Sequence, residues 1–148
     1  MKTRTGEPWI PARAYGALLP QFTVNLIVRD LGPALAFYRD VLQAQTHYAD
    51  PDFAAIRILG LELMLHADHT YEHNPWAAAL AAGGARGLGV EMRLLGLDPD
   101  AVAERARARG AIFQDVVLRG HGWREVMIQD PDGYVWAVGM AATQASWP

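Results

Sequence analysis

Side chains able to hold an ion, a proton or a ligand recur at alternate positions of short apolar stretches. Glu62 and His66 flank Met64 within Leu61-Glu-Leu-Met-Leu-His66, Glu91 precedes Arg93 in Val90-Glu-Met-Arg93, and Thr23 precedes Asn25 in Phe22-Thr-Val-Asn25. Period two belongs to strands, so each set shares one strand face, opposite Leu61, Leu63 and Leu65, opposite Val90, Met92 and Leu94, and opposite Val24, Leu26 and Val28. Glu62, His66 and Glu91 are potential donors to a divalent ion. Glu91 beside Arg93 equally describes an ion pair that solvates a wall, since charges near a core are normally paired. His66 at a strand end equally describes a half-exposed, hydrogen-bonded imidazole.

Other motifs carry less chemistry. His69 and His73 could grip zinc from one helix face, but Asp68-His-Thr-Tyr-Glu-His-Asn-Pro75 reads as loop. Gly83-Gly-Ala-Arg-Gly-Leu-Gly89 lacks a lysine and leads into a strand, which makes it a linker rather than a phosphate cradle. Among aromatic residues, Trp136 alternates with core positions. Phe53 stands with Ala55 and Arg57 opposite Ile56 and Ile58, and Trp123 opens a strand after Gly120-His-Gly122, where a rim residue could close over a ligand.

Composition excludes several chemistries. The 148 residues are 51% hydrophobic, enough for one buried core and too few for two ordinary domains. Absence of cysteine removes disulfides, thiolate catalysis and cysteine-built zinc sites. Lys2 is the only lysine and Ser146 the only serine, which disfavours Schiff-base and Ser-His-Asp mechanisms. A net charge of −3 with dispersed Arg argues against nucleic acid. No apolar run is long enough for a membrane span and no signal-like segment opens the chain, so the expected location is cytoplasmic.

The elements that must position these residues form one unit written twice. Phe22–Asp30, the helical Pro33–Leu42 and Leu61–Leu65 match Val90–Leu95, the helical Pro99–Arg109 and Tyr134–Val138; Thr23 corresponds to Glu91 and Gly60 to Gly133. Neither copy has enough core alone, and a seam between two copies is a natural cleft. Strands are expected near 53–59 and 61–66, and a short helix at Pro75–Ala82. Asp98 with Pro99 begins the second long helix, and Asp130-Pro-Asp-Gly133 makes a tight turn. Residues 1–20, with Trp9, Ile10, Tyr15, Leu18 and Leu19, are too apolar for a free tail and are expected as an arm on a partner subunit.

Val28-Arg-Asp-Leu with Ala36-Phe-Tyr-Arg-Asp-Val-Leu42, the Asp52–Arg57 strand and Trp123–Tyr134 occur in an order that resembles the vicinal oxygen chelate superfamily: glyoxalase I, extradiol dioxygenases, fosfomycin-resistance enzymes and bleomycin-resistance proteins. The resemblance covers residues 22–140 and implies an α+β fold of two paired βαβββ modules whose curled sheets form a cup, usually completed in a dimer. Modules are expected at 21–67 and 88–142 of one domain, with a linker at 68–87 and a tail at 143–148.

The superfamily's enzymes hold a metal with one side chain from the first and one from the last strand of each module. At those positions this chain has Thr23 where the family has His or Gln, Met64 for Glu or His, Glu91 for His, and Ala137 for Glu. One carboxylate among four positions does not make a metal site. Within the superfamily the closer likeness is to the bleomycin-resistance group, which implies drug sequestration, and so antibiotic resistance, without cofactor or turnover. The expectation is a homodimer binding a small cationic or aromatic molecule through Thr23, Asn25, Phe53, Arg57, Glu62, Met64, His66, Glu91, Arg93, Trp123 and Ala137. The alternative is a metal-dependent lyase, isomerase or dioxygenase whose divalent ion uses Glu91, His66 and Glu62, with room for a further ligand from a partner subunit.

Overall fold

In the computed structural model, residues 1–143 are described, and the expected tail lies outside them from residue 144 onward. The chain divides into two units, Met1–Gly84 and Ala85–Pro148.

In the first unit, helix α1 (Ala12–Leu18) precedes strand β1 (Val24–Val28), helix α2 (Leu31–Leu42) and strands β2 (Gln45–Ala49), β3 (Phe53–Ile58) and β4 (Leu61–Ala67). The sheet order is β1-β4-β3-β2, with β1 parallel to β4 and the other pairs antiparallel. Asp30 starts α2 by accepting the Gly32 N–H at 2.8 Å, and Gln43 ends it in the left-handed region. The stripe Leu31, Ala34, Phe37, Tyr38, Val41 and Leu42 is buried in that helix. Burying it against Leu26, Val28, Ile56 and Leu65 is the main stabilisation available, about 2 kcal/mol per large side chain before chain entropy is set against it. β3 and β4 are joined by the two-residue turn Leu59-Gly60, both at positive φ, the conformation whose twist suits a hairpin.

The second unit repeats the plan. It has β5 (Glu91–Leu95), α4 (Pro99–Arg107), β6 (Ile112–Leu118), β7 (Trp123–Gln129) and β8 (Val135–Ala141), in sheet order β5-β8-β7-β6, and the short helix α3 (Ala77–Ala81) precedes them at the end of the first unit. Val24 pairs with Leu63, and the residues 68 and 73 further on, Met92 and Trp136, pair likewise. The expected duplication is therefore a duplication of register as well as of element order. Asp98 accepts the Asp100 N–H to begin α4, and Asp130 accepts three N–H groups, from Asp132, Gly133 and Tyr134, to make the β7–β8 turn. Gly139 lies so close to the Arg124 carbonyl that a Cβ there would sit 2.2 Å from it.

Several details differ from the sequence reading. β2 was not expected from the residues: it is an exposed strand with a register shift between Thr46 and Tyr48, so it shows no alternation. Leu61 and Val90, expected against the helices, are exposed at 56% and 59% because one begins its strand at the turn and the other precedes β5. Residues 1–20 belong to the first unit and pack on its own sheet.

Candidate functional site

The first 20 residues are fastened to the sheet at two points. At the N-terminal point the buried Asp52 carboxylate accepts the Thr3 N–H at 2.7 Å, the Thr3 hydroxyl at 2.6 Å, the Arg4 N–H at 3.2 Å and His69 Nε2 at 2.7 Å. Burial pushes this carboxyl's pKa up, but the donors outweigh burial and hold it well below the usual carboxylate range. At the second point Tyr15 of α1 donates its hydroxyl to Glu62 Oε1 at 3.2 Å and sets its ring edge against Phe53, centroids 5.5 Å apart. Burial, then the Glu62 charge and hydrogen bond, push the Tyr15 phenol above its usual range, so it remains a neutral donor. Between these points Trp9 stacks on Tyr48 at 5.6 Å and 8°.

A cavity of about 520 Å³ lies between this segment and the sheet. Trp9, Ile10, Tyr15 and Leu19 wall one side; Phe53, Met64 and His66 wall the other; Thr70 and Tyr71 close an end. Alternation along β4 puts Leu63, Leu65 and Ala67 in the core and leaves Glu62, Met64 and His66 half-buried on the opposite face, as expected. The polar chain behind the wall is continuous. His66 Nδ1 is 2.7 Å from Asn25 Oδ1, and Asn25 Nδ2 donates to the Tyr71 hydroxyl at 2.6 Å. With the amide oxygen facing it, Nδ1 carries the hydrogen and Nε2 is the bare acceptor. Burial lowers the His66 pKa, only partly offset by the Asp50 charge, so the ring is neutral near pH 7.

The expected site residues of the first unit thus divide. Phe53, Met64 and His66 line the cavity, while Asn25 and Glu62 stand one hydrogen bond behind it. Thr23 donates to the Glu62 carbonyl at 3.3 Å, and Arg57 faces Glu62 across the β3–β4 pair, Nε to Oε2 3.5 Å. Residues the sequence reading missed are Trp9, Tyr15, Tyr71 and Asp52. The arm's apolar content was the available signal, and it was assigned to a partner.

In the second unit, Arg93 bonds Glu91 at 2.8 Å and Glu125 at 2.5 Å, and Arg119 bonds Glu125 at 2.7 Å. Burial would raise the Glu125 pKa, but its two guanidinium partners outweigh burial and lower it. Glu91 and Arg93 are therefore engaged with each other, the ion-pair reading. Trp123 is half-buried at the start of β7. Ala137, expected to touch ligand, is 0% exposed and has no surface to offer.

The donor set does not fit a metal ion. Among the described residues no three His, Cys, Asp or Glu side chains gather for one. On the first sheet Glu62 Oε1 takes the Tyr15 hydroxyl and Asn25 takes His66 Nδ1, which leaves His66 Nε2 as a lone nitrogen donor where an ion needs at least three protein ligands gathered together. His69 binds Asp52, and His73 lies 3.5 Å from Glu72.

Residues 20–138 match the model of the Glyoxalase/Bleomycin resistance protein/Dioxygenase superfamily. No curated protein matches the chain. Among solved structures, it is similar to a glyoxalase/bleomycin resistance protein/dioxygenase from Nocardioides, with 21% identity, TM-score 0.65, and coverage of 90% of this chain and 93% of that one. It is also similar to the fosfomycin resistance protein FosX from Listeria monocytogenes (19%, TM-score 0.63, 84% and 94% covered) and to a lactoylglutathione lyase from Agrobacterium tumefaciens (21%, TM-score 0.61, 82% and 94% covered). These likenesses concern the fold.

Proposed function

The chain belongs to the glyoxalase/bleomycin resistance protein/dioxygenase superfamily, and we propose that within it this protein binds a small aromatic molecule without a metal, in the cavity between residues 1–20 and the first sheet. The observation that carries this reading is the cavity itself. Its volume of about 520 Å³ suits a drug-sized ligand, and Trp9, Tyr15, Phe53 and Tyr71 offer ring faces and edges for stacking. Among the described residues no three carboxylate or imidazole side chains gather to hold an ion.

The lining favours aromatic character over positive charge in the ligand. Lys2 and Arg4 are themselves cations, and the one lining carboxylate, Asp52, has all four of its hydrogen bonds filled from the protein. A cationic guest finds no free counter-charge there. Sequestration of an aromatic drug, as in the bleomycin-resistance likeness, is the biological role that suits an aromatic-lined binding cavity.

Titration of the full-length protein with a panel of aromatic antibiotics and metabolites, before and after chelator treatment, tests the reading. Chelator-independent binding of one molecule per chain is expected. A ring-cleaving or glyoxalase-type activity that appears only with a divalent ion would replace it by the metal-enzyme alternative.

A further inference from the structure

The wall of the cavity holds one acceptor and one donor that the protein leaves unused. His66 presents Nδ1 to Asn25, which does not line the cavity, so the ring edge carrying Nε2 is the one on the cavity side. Nε2 has no partner among the described residues. Tyr71 accepts from Asn25 through its oxygen, and its own hydroxyl hydrogen has no acceptor among the described residues. The two rings are neighbours, centroids 5.3 Å apart and edge to face, and Phe53 covers His66 from the sheet at 4.7 Å. Asn25 thus fixes an imidazole and a phenol side by side, with a lone pair and an O–H bond both uncommitted.

We infer that the cavity selects hydroxyaromatic ligands, whose hydroxyl donates to His66 Nε2 while the ring stacks among Trp9, Tyr15 and Phe53. A hydroxyl suits this wall because it is donor and acceptor at once: it supplies the hydrogen that Nε2 lacks and an oxygen that the Tyr71 hydroxyl can reach. An ether of the same shape supplies the ring and the oxygen but no hydrogen. It leaves Nε2 facing an apolar group, and an unpaired part-buried acceptor costs of order tenfold in affinity. The Asn25 amide serves as a positioning residue: accepting from Nδ1 keeps the hydrogen off Nε2.

The inference rests on the aromatic-binding reading above, and two probes separate the failures of the two. Isothermal titration of the full chain at pH 7.5 would compare 2-naphthol with 2-methoxynaphthalene. The naphthol should bind at least about tenfold tighter, and in His66→Phe, which keeps a flat ring but no nitrogen, the two should bind alike. Equal affinity for the two probes in the parent protein overturns the hydroxyl selection while leaving aromatic binding intact, and needs no variant to fold. A naphthol preference that survives in His66→Phe overturns the assignment to His66. Failure of both probes to bind overturns aromatic binding in this cavity, and the inference with it.

Discussion

Asp52 ties Thr3, Arg4 and His69 together through one buried carboxylate. Replacing it with Ala leaves two backbone N–H groups and an imidazole without their acceptor, and should cost about 3 kcal/mol in urea unfolding, more than a surface carboxylate could. Because its folded pKa is depressed, its stabilisation is present above the ordinary 3.8 and is lost as pH falls through the lower folded value. His66 acts earlier on the same axis. Its folded pKa lies below the ordinary 6.5, so on acidification the unfolded chain takes the proton first, and stability should begin to decline below pH 6.5. That early decline should be smaller in His66→Phe when melting temperature is followed from pH 7.5 to 5. No difference between parent and variant over this range would contradict the neutral, buried ring. At this scale alternation made Phe53, Met64 and His66 legible in the sequence. Asn25 was legible too, but its role behind the wall was not, because that role depends on Tyr71, 46 residues away.

Among the elements, the first 20 residues change the picture most. They supply one wall of the cavity and are held by Asp52 and Glu62, so removing residues 1–19 should abolish aromatic binding while circular dichroism still reports the sheets and long helices. Binding that survives the truncation would place the site elsewhere. The apolar excess of this segment was visible in the sequence, but its destination was not: α1 spans only seven residues, buries none of them fully, and has no period to aim it. The long helices were legible because Asp30 and Asp98 cap them and their stripes keep helical spacing. β2 was not, since an exposed, bulged edge strand leaves no alternation. In the second unit, the Glu91–Arg93 pair was one of the two readings the sequence offered, but Glu125 and Arg119, which extend it into an ion network, are announced by no local pattern.

At the scale of the whole molecule, the repeated register of the two sheets is what the duplicated sequence led us to expect, and it leaves β1 and β2, and β5 and β6, at sheet edges. Unpaired edges favour association, and two-fold pairing is the commonest remedy, so light scattering should report a dimer. A monomer at micromolar concentration would count against it. The most direct test of metal-free aromatic binding is a titration of the chelator-treated, full-length protein with 2-naphthol, with metal content measured on the same sample. The prediction is saturable binding of one molecule per chain, at equal affinity with and without added divalent ion. Binding that is absent from the metal-free protein and restored by one equivalent of ion would contradict it.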